Sequence, residues 1–286
     1  MKLRIDGQTY HLKVTRRLQQ PPDAPRLVIV GFQPNAQTRE ILQVCIQAIQ
    51  RYTSEPHELW VVDNCSPEEN THWLLEIPAL NVILNRTEPI PPAGRRLWKP
   101  ETRDFSWGSY SNAAALEIGV RLINPQTHFL MTLHQDILPC REGWLTFLQS
   151  KIQKKTAAFG VRMDTQRTPE GVLHVLGYMV DFQIFRQLKL SFFPQLPQYD
   201  VGDLVTVNLR KAGYEVAACP NTLHQPELIE TLPPLFQNLH VDRALDDEGN
   251  VIFLHLGRGV RKSEGVHMTG TTPEAWVQFA EEHLLG

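Results

Sequence analysis

The feature that most constrains this chain is an alternation of short apolar runs with longer segments of helical spacing. Leu27-Val28-Ile29-Val30 is a continuous apolar run, the pattern of a strand covered on both faces. Behind it, Ile41, Leu42, Cys45, Ile46 and Ile49 recur at helical spacing after a candidate cap, Asn35. Leu59-Trp60-Val61-Val62, ending in Asp63, then Leu80-Asn81-Val82-Ile83-Leu84 and Phe129-Leu130-Met131-Thr132-Leu133 read as three further strands. Between the last two, Ser109 to Ile123 reads as a mostly buried helix with Glu117 and Arg121 paired on its wet side; Trp144 to Ile152 continues the alternation. Parallel neighbours need crossover connections, and those crossovers cover both faces of the sheet. The expected fold class is therefore α/β, a mainly parallel sheet sandwiched by helices.

Residues 1–25 begin with alternating Leu3, Ile5, Tyr10, Leu12 and Val14 and end in Pro21, Pro22 and Pro25, which predicts a short N-terminal β-hairpin and a stiff linker. The main domain is expected over 26–225, with a C-terminal segment over 226–286. Glu88 to Phe105, with four prolines and Arg95, Arg96, Lys99 and Arg103, is the longest candidate loop and the natural active-site insertion. The balance of hydrophobic (42%) and charged (21%) residues is that of a folded globule rather than a disordered chain. Lys plus Arg against Asp plus Glu gives 28 − 31 = −3, so no overall attraction draws nucleic acid or an anionic membrane to it. No apolar run approaches the roughly 20 residues of a membrane span. Lys2, Arg4, Asp6, Lys13, Arg16 and Arg17 interrupt any secretory leader. Cys45, Cys65, Cys140 and Cys219 are spaced too widely for a metal ribbon or redox pair and read as reduced thiols, so a cytoplasmic location is expected.

Ligands of open parallel sheets bind beyond the carboxyl ends of the strands. Those ends carry Gly31-Phe32-Gln33-Pro34-Asn35, Asp63-Asn64-Cys65-Ser66 and His134-Gln135-Asp136. Neither a dinucleotide Gly-x-Gly-x-x-Gly nor a phosphate loop follows the first strand, which speaks against NAD and P-loop chemistry. Asp63 either accepts hydrogen bonds from a nucleotide base or ribose, or forms a turn with Asn64. His134 and Asp136 share one face of an extended segment and can both approach a diphosphate-bound cation; the alternative is that Asp136 caps a helix starting near Pro139.

Four motifs in order carry a resemblance over roughly Arg26 to Ala218. They are Val61-Val62-Asp63-Asn64-Cys65-Ser66, Gly108 to Ala115 with Asn112, Phe129 to Trp144 with His134-Gln135-Asp136, and Asp200 to Tyr214 with Leu209-Arg210-Lys211-Ala212-Gly213-Tyr214. The chain resembles the family 2 glycosyltransferases of the GT-A fold. That resemblance implies inverting transfer of a sugar from a nucleotide diphosphate sugar to a hydroxyl of a glycan, lipid-linked or protein acceptor. It implies nucleotide binding by Asp63, Asn112 and His134, with Asp136 and His255 holding Mg²⁺ or Mn²⁺, and a C-terminal segment returning to the active-site mouth. His134 stands where the family's metal motif has its first carboxylate. Val201 falls opposite the family's general base, which leaves Asp200 or Asp203 for that role.

The residue types suit such chemistry. A departing diphosphate needs positive charge on its leaving oxygens, from a cation or from basic side chains such as Arg258 and Arg261, with Lys262 beside them. The acceptor hydroxyl must lose a proton, which asks for a carboxylate; the structural alternative for Asp200 and Asp203 is to stabilise the dipole of a helix over about Val201 to Ala212. Trp107 and Tyr110 are candidates for stacking on a base or sugar, and Trp144 for packing. Two other functions compete. One is a non-catalytic module that binds nucleotide sugars or glycans; the other is a sugar nucleotidyltransferase, disfavoured by the single glycine in Gly31-Phe32-Gln33-Pro34.

Overall fold

The computed structural model describes residues 1–93, 103–165, 169–267 and 269–286. In chain order the elements are β1 (Lys2–Ile5), β2 (Gln8–Thr15), β3 (Arg26–Gly31), α1 (Ala36–Tyr52), β4 (Glu58–Asn64), β5 (Asn81–Asn85), α2 (Arg103–Leu122), β6 (Phe129–His134), β7 (Ile137–Pro139) and α3 (Trp144–Lys151). They continue with β8 (Thr156–Gly160), β9 (Met163–Asp164), β10 (Val172–Leu173), β11 (Gly177–Asp181), α4 (Phe182–Gln187), α5 (Asp203–Lys211) and β12 (Glu215–Ala218). The last are α6 (Pro234–Gln237), β13 (Asp242–Leu245), β14 (Val251–His255), α7 (Gly259–Ser263) and α8 (Pro273–Phe279), which runs on into a π-helical turn, Ala280–Leu285. Arg95, Arg96 and Lys99 of the expected insertion lie outside the described residues.

A nine-stranded sheet in the order β1-β2-β5-β4-β3-β6-β11-β8-β12 forms the centre. Its core, β5-β4-β3-β6, is parallel throughout, and β2 and β11 are the strands that run against the rest. The fold class is the expected α/β, with a large, mostly parallel sheet between helices. The N-terminal hairpin turns on Asp6 and Gly7, both at positive φ (47° and 84°), as a two-residue hairpin turn requires. Its second strand pairs with β5, so the hairpin lengthens the sheet at that edge.

The apolar run of β3 divides by period two. Leu27 and Ile29 share one core with Leu42, Cys45, Ile46 and Ile49 of α1, while Val28 belongs to the other, with Ala113 to Leu116 of α2. Asn35 caps α1, its Oδ1 accepting the Thr38 N–H at 2.9 Å while the Thr38 hydroxyl faces the Asn35 N–H. Small residues let α2 lie close to the sheet: a Cβ on Gly119 would stand 2.9 Å from a Val28 methyl.

Glu117 corrects the expectation of a solvated pair with Arg121. It is 2% exposed, and its Oε1 accepts the Ser191 hydroxyl at 2.8 Å and the Phe192 N–H at 2.7 Å, with Arg121 on the other oxygen. The segment leading to Asp200 is thus tied to α2. Among the described residues no helix is long and apolar enough to cross a membrane.

The proline-rich linker is held by a buried cation. Arg26, itself fully buried, donates to the carbonyls of Gln20 (2.6 Å), Pro21 (2.7 Å) and Ala24 and pairs with Glu58 at 2.8 Å. Removing one member of a buried ion pair leaves the other charge uncompensated. Arg26→Met is expected to lower the unfolding free energy by about 3–5 kcal/mol, read from urea denaturation; an unchanged midpoint would mean that the linker is ordered without it.

Candidate active site

The parallel core brings its strand ends to one level: Val30 is in register with His134, and Gly31 with Asp63. At the end of β6 the chain changes sheet. Gln135 is anchored to β3 by accepting the Phe32 N–H at 2.7 Å and donating to the Phe32 carbonyl at 3.0 Å. With the middle residue tied, His134 and Asp136 face the opposite side. After Asp136 the chain enters β7, the edge of a three-stranded sheet in the order β13-β14-β7. Asp136 therefore precedes a strand and caps no helix near Pro139. Ile137 pairs with His255 there, which carries that imidazole to Asp136 across more than a hundred residues of sequence.

His134, Asp136 and His255 form one cluster, with a ligand atom from each lying within 4.8 Å of the others. Asp136 Oδ1 is 3.6 Å from His255 Nε2 and 3.9 Å from His134 Nδ1, and Oδ2 accepts the Gly259 N–H at 3.0 Å. The last contact depends on glycine: a Cβ on Gly259 would stand 3.0 Å from that of Asp136. The Asn112 amide lies 3.1 Å from His134 Nε2, and the His174 ring packs edge-on against His134 at 5.4 Å. The imidazole of His255 is 3.1 Å from Asp242 through Nδ1.

Burial and charge set the protonation of this cluster. Burial works against the Asp136 anion, but the imidazoles of His255 and His134 and the Gly259 N–H outweigh it and hold the carboxyl well below the usual range. Burial likewise opposes the His255 cation, which Asp136 and Asp242 nevertheless favour, so its pKa is pushed up to about 9. For His134 burial prevails over Asp136, aided by the charges of His255 and Arg162, and its pKa falls to about 4. Two imidazoles and one carboxylate at this spacing are a sound donor set for a divalent transition ion.

Other expected site residues fall in different surroundings. Asp63 ends β4 with no solvent exposure; its carboxylate accepts from the Ser66 hydroxyl (2.5 Å), the Ser66 N–H (3.1 Å) and the Gln33 amide (3.2 Å). Burial pushes its carboxyl up despite these bonds. It holds the turn in which Cys65 takes φ 68°. Asp203 opens α5, 1% exposed, with Oδ2 accepting the Asp200 N–H at 2.8 Å. Asp200 is half-buried, and its Oδ1 accepts the Val201 N–H at 2.6 Å.

Residues 172–176 join these carboxylates to the cluster. Leu173 N–H donates to Thr206 of α5, a Cβ on Gly202 would meet Val175 at 2.3 Å, and His174 between them touches His134. Arg258, at φ 58°, and Arg261 are exposed around α7, the former 3.1 Å from His267; Lys262 turns inward to the carbonyls of Leu256 and Thr271. Trp107 donates to the Pro89 carbonyl at 3.1 Å. Tyr110 is a core residue rather than a stacking platform: it is 1% exposed, stacks on Phe193 at 5.2 Å and donates to Asp6. Trp144 is fully buried and donates to Thr53.

Gln135, His174, Asp242 and Arg162 were not singled out by sequence. The polar residue between His134 and Asp136 was a usable signal for Gln135; the other three have no motif.

No protein-family model and no curated protein matches the chain. Solved structures do. The galactosyltransferase LgtC in complex with donor and acceptor sugar analogues aligns over 90% of this chain and 96% of its own, at 13% identity and a TM-score of 0.54. The mannosyltransferase PcManGT from Pyrobaculum calidifontis, in complex with GDP-Man and Mn²⁺, aligns over 91% and 70% at 14% identity and 0.47. Mouse xyloside xylosyltransferase 1 in its apo form aligns over 58% and 69% at 12% identity and 0.41. The fold is the GT-A fold of glycosyltransferases.

The three shifted groups predict how the metal-free protein responds to pH. His255, raised above its ordinary 6.5, contributes fully below about pH 6.5 and loses that contribution as pH rises through about 9. His134, lowered to about 4, must become charged as pH falls below 6.5, so stability declines on that side as well. Asp136 adds a further loss below its ordinary 3.8. A tenfold change in proton affinity is about 1.4 kcal/mol, so each histidine contributes on the order of a few kcal/mol. Urea denaturation in EDTA should show greatest stability near pH 6.5, with His255→Gln flattening the alkaline limb and His134→Gln the acidic one.

Proposed function

We propose that this protein transfers a sugar from a nucleotide diphosphate sugar to a hydroxyl of a glycan, lipid-linked or protein acceptor. The observation that carries this reading is the convergence of His134, Asp136 and His255 at the carboxyl ends of the parallel strands in a GT-A fold. On this reading the three residues hold a divalent ion. Two imidazole nitrogens beside one carboxylate suit Mn²⁺ better than Mg²⁺, which prefers oxygen ligands. When bound, the ion would offset charge on the leaving diphosphate oxygens.

The chain's own residues supply the rest. Arg258 and Arg261, exposed at the start of α7 and within it, would meet phosphate oxygens. Asp63 serves the nucleotide by ordering the 63–66 turn rather than by direct contact, since its carboxylate is enclosed. Asn112 acts on the same side through His134. As general base for an inverting displacement we favour Asp200 over Asp203, because Asp200 is half-buried whereas Asp203 is 1% exposed.

A panel of uridine, guanosine, thymidine, adenosine and cytidine diphosphate sugars tests this, with Mn²⁺ or Mg²⁺ and with EDTA, reading nucleoside diphosphate release and product anomer by NMR. Release that requires the ion, an anomer opposite to the donor's, and loss of the ion's effect in Asp136→Asn are expected. Asp200→Asn should lower turnover by ~10²-fold with nucleotide affinity unchanged, the scale of general base catalysis. No nucleotide binding by wild type across the panel would overturn the donor site. Binding without turnover would leave a non-catalytic module.

A further inference from the structure

His255 reaches Asp136 from a different sheet, and an imidazole has two tautomers and two ring orientations. Its far nitrogen meets a residue with no motif around it. Asp242 and His255 are directly opposed partners in the antiparallel β13–β14 pair, with Asp242 Oδ2 3.1 Å from His255 Nδ1. The same oxygen accepts from Arg162 Nη1 at 2.7 Å, and Arg162 Nε is 3.3 Å from Asp164 Oδ1. Arg162 lies between β8 of the main sheet and β9, so it brings a cation from a different sheet to Asp242. All these side chains are largely buried.

An ionised carboxylate can only accept hydrogen bonds, so the nitrogen facing Asp242 is the one that carries hydrogen. That leaves Nε2 to face Asp136 Oδ1 at 3.6 Å. A divalent ion seated between Nε2 and Asp136 Oδ1 would take the place of the proton that the ring otherwise turns toward that carboxylate. We propose that Asp242 is the positioning residue of the metal site: it fixes the His255 tautomer and aims Nε2 at the ion, with Arg162 holding Asp242 in place. This inference rests on the metal reading above. Hydrogen bonding of a ligand's second nitrogen to a carboxylate is a general means of orienting a metal-bound histidine, and its loss costs metal affinity about 10- to 100-fold.

The test uses the full chain without donor sugar. Mn²⁺ affinity, read from the electron paramagnetic resonance signal of the free ion, is compared for wild type, Asp242→Asn and Arg162→Met, with circular dichroism to check folding. A folded Asp242→Asn is expected to bind Mn²⁺ about 10- to 100-fold more weakly. Arg162→Met should show a smaller loss in the same direction. With Zn²⁺ as a diamagnetic probe, long-range ¹H–¹⁵N spectra of histidine-labelled wild type should show His255 protonated at Nδ1 and bound through Nε2; this readout needs no variant to fold and is not moved by a merely structural ion pair. Wild type that binds neither metal would overturn the metal reading itself. Metal binding by wild type with Nδ1 as the ligand, or with equal affinity in a folded Asp242→Asn, would overturn the role of Asp242 alone.

Discussion

A carboxylate taken out of water needs positive charge or donated hydrogen bonds beside it, and the arrangement around Asp136 is built on that requirement. Its surroundings come from three parts of the chain. The end of β6 and the turn after it supply His134 and Asp136, β14 supplies His255, and the first residue of α7 supplies the Gly259 N–H. Without the small sheet β13-β14-β7 the second imidazole and the N–H would be missing. The change of sheet at Gln135 is therefore the structural event on which the site depends.

The parallel core gives this event a rigid base. Each strand from β5 to β6 is covered on both faces, so a side chain at a strand end has little freedom to move and the ends keep their register. The same core reaches the far side of the site through α2. Glu117 of that helix binds Ser191 and the Phe192 N–H, and the chain from there leads to Asp200 and α5. A buried polar group satisfied in this way stabilises one arrangement of the loop over others. The cluster and the acceptor-side carboxylates consequently share one scaffold, joined a second time by residues 172–176.

Much of this was legible in the residues themselves. The strands and helices followed from their periodicities, and the Asn35 cap from its position before an apolar stripe. His134 and Asp136 stood out because titratable residues close an apolar run at a strand end, and His255 through the family resemblance. Glu117, Tyr110 and Asp63 were less readable for one reason: whether a polar side chain faces water, core or ligand depends on partners remote in sequence. Glu117 looked like half of a surface pair because its local helix offers Arg121 at i,i+4, whereas Ser191 and Phe192 lie more than seventy residues away. Tyr110 looked free to stack until Phe193 and the hairpin's Asp6 closed over it.

By itself the sequence determined the hairpin, the parallel-core strands β3 to β6, the helices α1 to α3 and the fold class, because strand and helix periods are local properties of side-chain direction. It also determined which residue types stand at the strand ends. Tertiary structure alone decided that His255 and Gly259 meet Asp136, that Asp242 and Arg162 stand behind His255, and that Asp63 is enclosed. Asp136 and Gly259 are 123 residues apart, and nothing in either neighbourhood specifies the other. What brings them together is the burial of apolar faces by strands and helices throughout the chain, which gains its free energy without regard to which polar groups are carried along.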